Sequence, residues 1–303
     1  MNQIISLTSD WGESSHYIAM FKALILSKAP HARIVDISHN VSTFNLEIGA
    51  YILSSTYHFF PEKSVHVFNV DSYNNDQSSR YSMARRNNTV DSLPFVDYLA
   101  VKYKNHYFLA LNNGFFSLLC DDFNHIEEVV KLPKCDDYNH IKTFDAIPFL
   151  LQAAVDLSEN VSISKIGTPY PIENIETIKI KTPLVKYTEE KGDVIVFHIK
   201  HIDSYGNIIT NLHKDVFEKV AKDRKKIRLY IHELGDEMKF QIVDSYSDVA
   251  KYTSPIVFFN IAGYMEISFK FSKLANYLAI DMFDIYEQKI TLYFEENKKN
   301  IKS

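Results

Sequence analysis

Asp10, His39 and Asp71 each follow a short apolar run, and a carboxylate or imidazole at the end of such a run is a group that can bind or activate a small molecule. A carboxylate accepts hydrogen bonds from a pair of hydroxyls, and a buried carboxylate or imidazole takes a proton from water. Taken singly, each has a plain structural role open to it: Asp10 as a helix cap, His39 as a turn residue, Asp71 as a solvated loop residue. A second polar cluster, Asp203-Ser204-Tyr205-Gly206-Asn207, combines a carboxylate, an aromatic ring and an amide, although Gly and Asn there also suit a β-turn.

These residues need elements to hold them. Ile4–Leu7 reads as a strand, Tyr17–Leu26 as a helix, 32–37 as a strand, Leu46–Phe60 as a helix stopped by Pro61, and Ser64–Val70 as a strand. Strands alternating with helices predict a mostly parallel sheet with helices on both faces, which places binding groups in the loops beyond the carboxyl ends of its strands. Residues 74–94 are polar and read as an insertion before a strand at Tyr98–Tyr103 and its partner at Tyr107–Leu111. After Asn112-Asn113-Gly114 comes a further apolar stretch, and Ile147–Leu157 predicts a helix that closes an α/β domain over 1–165. A linker at 166–185 follows. From 186 to 303 the pattern becomes successive strands, at Val194–Ile202, Ile227–Ile231, Lys239–Val243, Ile256–Phe259, Tyr264–Phe269 and Lys289–Phe294, with little helix between them, predicting an antiparallel, barrel-like β domain.

With 46% hydrophobic and 23% charged residues, 303 positions supply enough apolar surface for two folded domains. A net charge of -5 offers polyphosphate no general attraction, so the basic clusters Arg85-Arg86 and Arg224-Lys225-Lys226 read as solvated loops and nucleic acid is excluded as a partner. Two cysteines, Cys120 and Cys135, are too few for a disulfide framework and fit a reducing compartment. The scattered histidines show no metal-ligand spacing. The N-terminus MNQIISLTSDWG lacks a signal peptide's basic start and apolar core, and no window suits a membrane span, which predicts a cytoplasmic protein.

The ordered pieces LTSDWG, YIAMFKALIL, APHARIVDISHNV, FFPEKSVHVFNVD, NNGFFSLL and IDSYGNIITNL span most of the chain. Together they resemble the S-adenosylmethionine hydroxide adenosyltransferases and their chlorinase and fluorinase relatives. The resemblance implies a homotrimer, with the nucleoside lying between the N-terminal domain of one subunit and the β domain of its neighbour, and no cofactor beyond S-adenosylmethionine itself as substrate. By the same resemblance Asp10 matches the aspartate on the ribose hydroxyls and Phe44 an aromatic beside the nucleoside. Asp203 matches the group for the methionine ammonium, Tyr205 the ring against adenine, and Asn207 the amide that reads the adenine edge. Asn260, in FFNIAGYMEI, matches a loop at the methionine end, where Ile261 and Ala262 replace the serine and arginine of fluorinases.

Hydrolases of this family use an aspartate, an arginine and a histidine to deliver water or hydroxide to the ribose C5′. Asp71 matches the aspartate. The arginine falls on Arg80, at a longer spacing, or is absent, in which case Arg80, Arg85 and Arg86 are insertion charges. Asp145 follows Thr143-Phe144, where the family has histidine; its carboxylate could accept a proton and serve with Asp71 as base, although as a second negative charge near Asp71 it would oppose binding hydroxide. The reading is a hydrolase that forms adenosine and methionine, with an adenosyl-binding homologue without turnover as the alternative. A halogenase would need small hydroxyl and amide donors for the halide, which Ser72-Tyr73 does not reproduce.

Overall fold

In the computed structural model the described residues are 3–72, 96–138, 141, 145–222, 224, 226–232, 236–248, 255–269, 273–277 and 288–294. The chain divides into two compact units, Met1–Ile178 and Lys179–Ser303.

The first unit is built on a seven-stranded sheet: β1 (Ile4–Ser9), β2 (Arg33–Ser38), β3 (Val65–Asn69), β4 (Tyr98–Tyr103), β5 (His106–Leu111), β6 (Ile126–Lys131) and the short β7 (Thr168–Pro169), in the order β2-β1-β3-β5-β4-β6-β7. The pairs β1–β2, β1–β3 and β3–β5 are parallel. From β5 onward the sheet turns antiparallel through β4, β6 and β7, so it is mixed. The reason is local: Lys104 and Asn105 both take positive φ (46° and 63°), the twist of a two-residue hairpin loop, so β5 must return beside β4.

The helices are α1 (His16–Lys28), α2 (Leu46–Ser54), α3 (Phe115–Leu119) and α4 (Ile147–Ser158). Ser15 caps α1 by accepting from the Tyr17 amide, and Asn45 caps α2 by accepting from the Ile48 amide, so both helices start immediately after strand-end loops. The helix expected over Leu46–Phe60 stops at Ser54 and continues as a single 3₁₀ turn at Tyr57–Phe59. One core runs from Ile5, Leu7, Val65, Val67 and Leu109 on the sheet to Phe21 and Ile25 of α1 and Leu150, Leu151 and Ala154 of α4. Removing this apolar surface from water is the main force that holds the strand ends in place.

The second unit contains β8 (Leu184–Thr188), β9 (Gly192–Ile202), β10 (Ile208–His213), β11 (Lys226–Ile231), β12 (Asp236–Ile242), β13 (Pro255–Phe259), β14 (Tyr264–Phe269) and β15 (Lys289–Phe294), with α5 (Lys214–Ala221) and α6 (Leu274–Tyr277). Its order is β10-β14-β13-β12-β11-β15-β9-β8, and β10 also pairs with β9, which closes seven strands into a barrel with β8 outside. All of its pairings are antiparallel except β12–β13. Inward residues such as Ile195, Phe197, Leu229, Ile267 and Leu292 fill the interior.

Candidate functional site

At the carboxyl ends of β1, β2 and β3 three loops meet on one carboxylate. Asp10 Oδ2 accepts from the Phe44 amide at 3.0 Å and from the Asp71 amide at 3.3 Å. Burial raises the pKa of Asp10 above the ordinary carboxylate value, and those two amides, with its own, pull part of the way back. Asp10 is therefore a desolvated carboxylate, predisposed to gain from any further donor brought to it.

Both residues that donate to Asp10 have left-handed backbones, Phe44 at φ 63° and Asp71 at φ 48°. For side chains with a Cβ this is uncommon and costs on the order of 1–3 kcal/mol. Asp71 is 1% exposed, and its carbonyl accepts from Asn113 Nδ2 at 2.9 Å while its amide is held by Asp10, so the strained turn is fixed from both sides. Asn113 is held in turn by accepting from the Phe115 amide at the start of α3. Phe44 remains 39% exposed, an aromatic ring left at the surface beside a buried polar cluster.

Tyr98 donates to the carbonyl of Ser72 at 2.7 Å. Burial, and next the charge of Asp145, push its phenol far above the ordinary range, so it remains a neutral donor. Asp145, at the turn before α4, thus lies within electrostatic reach of the hydroxyl that holds the Asp71-Ser72 turn. Arg80, Arg85 and Arg86 lie outside the described residues. Asn113 and Tyr98 were not among the residues expected from the sequence. The NNG motif signalled Asn113 as a turn residue only, and Tyr98 reads as an ordinary core position of a strand.

In the second unit the loop between β9 and β10 is a self-contained turn. Asp203 Oδ1 accepts from the Tyr205 amide at 2.9 Å and the Asn207 amide at 2.8 Å, and Oδ2 accepts from Asn207 Nδ2 at 2.9 Å. Asn207 Oδ1 accepts from the Ser268 hydroxyl on β14. The Asn207 amide is therefore engaged at both ends, with one N–H and one lone pair remaining by its valence. Tyr205 is 75% exposed at the tip. Asn260 caps the β13–β14 turn, its Oδ1 accepting from the Ala262 and Tyr264 amides at 3.1 Å each, and Ile261 projects into solvent. Ser268, a strand position, carried no sequence signal.

An α/β unit with polar groups gathered at its parallel strand ends, followed by a closed β unit with ordered polar turns, defines the class of this protein. The comparisons with known proteins are more specific. Residues 5–90 match the SAM hydroxide adenosyltransferase N-terminal domain and residues 197–287 the corresponding C-terminal domain. The chain belongs to this family. It is 28% identical over 291 residues to an (R)-S-adenosyl-L-methionine hydrolase of Methanocaldococcus jannaschii, covering 94% of this chain and 95% of the relative. It is 24% identical over 286 residues to a fluorinase of an Actinoplanes species, covering 90% and 93%. An uncharacterised conserved protein of Thermotoga maritima shares the fold with a TM-score of 0.75 at 21% identity, over 96% of this chain and all of that one. Among the described residues no helix is long and apolar enough to cross a membrane.

Proposed function

We propose that this protein binds S-adenosylmethionine and delivers water or hydroxide to the ribose C5′, forming adenosine and methionine. The observation that carries this reading is the pairing of Asp10 with Asp71, two carboxylates at adjacent strand ends joined by the Asp71 N–H···Oδ2 bond. In the reaction an oxygen–carbon bond forms at C5′ as the carbon–sulfur bond breaks. The electron pair returns to sulfur, so the sulfonium becomes a neutral thioether, and the proton lost by water passes to a base and then to solvent.

Asp10 takes the ribose hydroxyls on the carboxylate oxygen that does not hold the loops, and Asp71 takes the proton from the attacking water. General-base help of this kind contributes roughly 10²- to 10⁴-fold in rate. Asp145 tunes the same corner through Tyr98, and Arg80 is the candidate cation near the water. Asp203, Tyr205, Asn207 and Asn260 contribute the methionine and adenine contacts from the β unit, with Phe44 against the nucleoside. A homotrimer, with each site completed by a neighbouring subunit's β unit, and a cytoplasmic setting go with this reading.

Nucleoside binding without turnover is the second reading, favoured by Asp145: a carboxylate close enough to act on Tyr98 adds negative charge near Asp71, which opposes hydroxide. The two are separated by incubating the purified chain with S-adenosylmethionine and chromatographing for adenosine and methionine. Release of both supports hydrolysis. Saturable binding of S-adenosylmethionine with no product at high protein concentration overturns turnover and supports the second reading.

A further inference from the structure

His39 lies beside Asp10 but is not part of the chemistry above. It is 4% exposed, and its Nδ1 is 2.7 Å from Ser9 Oγ, on the residue immediately before Asp10. On its other side Nε2 stands 3.1 Å from Asp36 Oδ1, at ion-pair distance though off the line of a hydrogen bond. Asp36 is in turn paired with Lys22 of α1. Burial pushes Asp36 up, but the Lys22 ammonium and the His39 ring beside it outweigh this and leave its pKa below the ordinary carboxylate value, so it is anionic.

An anionic carboxylate facing Nε2 favours the tautomer with its proton there, which leaves Nδ1 as an acceptor for the Ser9 hydroxyl. The Ser9 oxygen then has lone pairs for the Trp11 amide, which donates to it at 3.4 Å. Two further bonds tie the same loops together: the Gly12 amide donates to the His39 carbonyl at 2.8 Å, and the Glu13 amide to Asn40 Oδ1 at 3.2 Å. Asp10 is thus flanked on both sides, at Ser9 and at Trp11, by groups whose placement runs back to the His39 ring.

We infer that His39 is a positioning residue: through Ser9, and oriented by Asp36 and Lys22, it aims the Asp10 carboxylate at the ribose diol of the bound nucleoside. The inference rests on the reading of Asp10 as the diol acceptor. It predicts an effect confined to ligands that carry the diol, which a general loss of structure would not produce.

The test compares the affinity of the full-length protein for adenosine and for 2′,3′-dideoxyadenosine, by calorimetry, in wild type, His39→Ala, Ser9→Ala and Asp10→Ala. Wild type is expected to prefer adenosine, and His39→Ala to cut that preference about tenfold with the dideoxy affinity unchanged, the scale of one misaligned hydrogen bond to a charged group. Adding His39→Ala to Asp10→Ala should change nothing further, because the two act through one contact. Ser9→Ala carries the same comparison if His39→Ala does not fold. A wild-type preference left intact in the folded His39 or Ser9 variant overturns the positioning role alone. A wild type that binds both nucleosides equally overturns the diol role of Asp10, and the positioning role with it.

Discussion

In the α/β unit Asp10 accepts amides from residues 34 and 61 positions away, whereas in the β unit Asp203 accepts from residues two and four positions on. The first arrangement exists only once three strands are side by side, and its donors are held in left-handed backbones that the surrounding fold must enforce. The second is an Asx-type turn that closes on itself and is tied to the barrel by Ser268. A carboxylate organised at long range is placed by the whole unit and sits desolvated. One organised locally is placed by its own sequence and can be changed with limited damage elsewhere.

The largest expected effect breaks the long-range side. Asp71→Asn keeps the amide that donates to Asp10 and the carbonyl that accepts from Asn113 but removes the base, so adenosine formation should fall by about 10²- to 10⁴-fold in a protein that stays folded. A rate within a few fold of wild type would take Asp71 out of the chemistry.

Acid should also separate the units. His66 is buried against Ser6 (Nδ1···Oγ 2.6 Å) and His106 (Nε2···Nδ1 3.1 Å), and burial, with a smaller contribution from His106, lowers its pKa to about 3. A folded pKa below the unfolded value means the unfolded chain binds more protons between the two. Stability is therefore fully present above about pH 6.5 and is lost as pH falls toward 3, by up to about 1.4 kcal/mol per pH unit. Denaturant unfolding of the first unit, followed by hydrogen exchange across that range, should show this slope, and His66→Phe should flatten it.

Two smaller effects concern the local side. Gly263 sits at φ 79° with the His213 imidazole packed where a side chain would begin, so Gly263→Ala should cost about 1–3 kcal/mol in denaturant unfolding. Asp203→Ala removes three hydrogen-bond acceptances within one turn; the Tyr205 amide at the exposed tip regains water, but the two donors of the buried Asn207 do not, so the change should cost about 1–3 kcal/mol, confined to the second unit. Lowered hydrogen-exchange protection in the first unit of Asp203→Ala would contradict the view of that turn as locally closed.

The same contrast explains what the sequence disclosed. Strands with clear alternation, such as Tyr264–Phe269 and Lys289–Phe294, and the apolar helix at Ile147–Ser158 were legible because their signal lies within a few residues. The strand Ile126–Lys131 was missed because Glu127 and Glu128 interrupt its apolar pattern, and Ile208–His213 because it is continuous with a motif read as a loop. The antiparallel half of the first sheet follows from a hairpin whose two loop residues, Lys104 and Asn105, carry no glycine to announce it. Asp10, Asp71 and Asp203 could be singled out by type and position. The burial of Asp10, the grip of Asn113 on Asp71 and the Ser268–Asn207 bond depend on contacts between residues far apart in the chain, which no local pattern encodes.

The most direct test of oxygen delivery to C5′ is a turnover with S-adenosylmethionine in ¹⁸O-labelled water, with mass analysis of the nucleoside product. Adenosine carrying one solvent oxygen at its 5′-hydroxyl, released together with methionine, is the predicted result. Unlabelled adenosine, a nucleoside with another group at C5′, or no product from protein shown to bind S-adenosylmethionine would contradict the account.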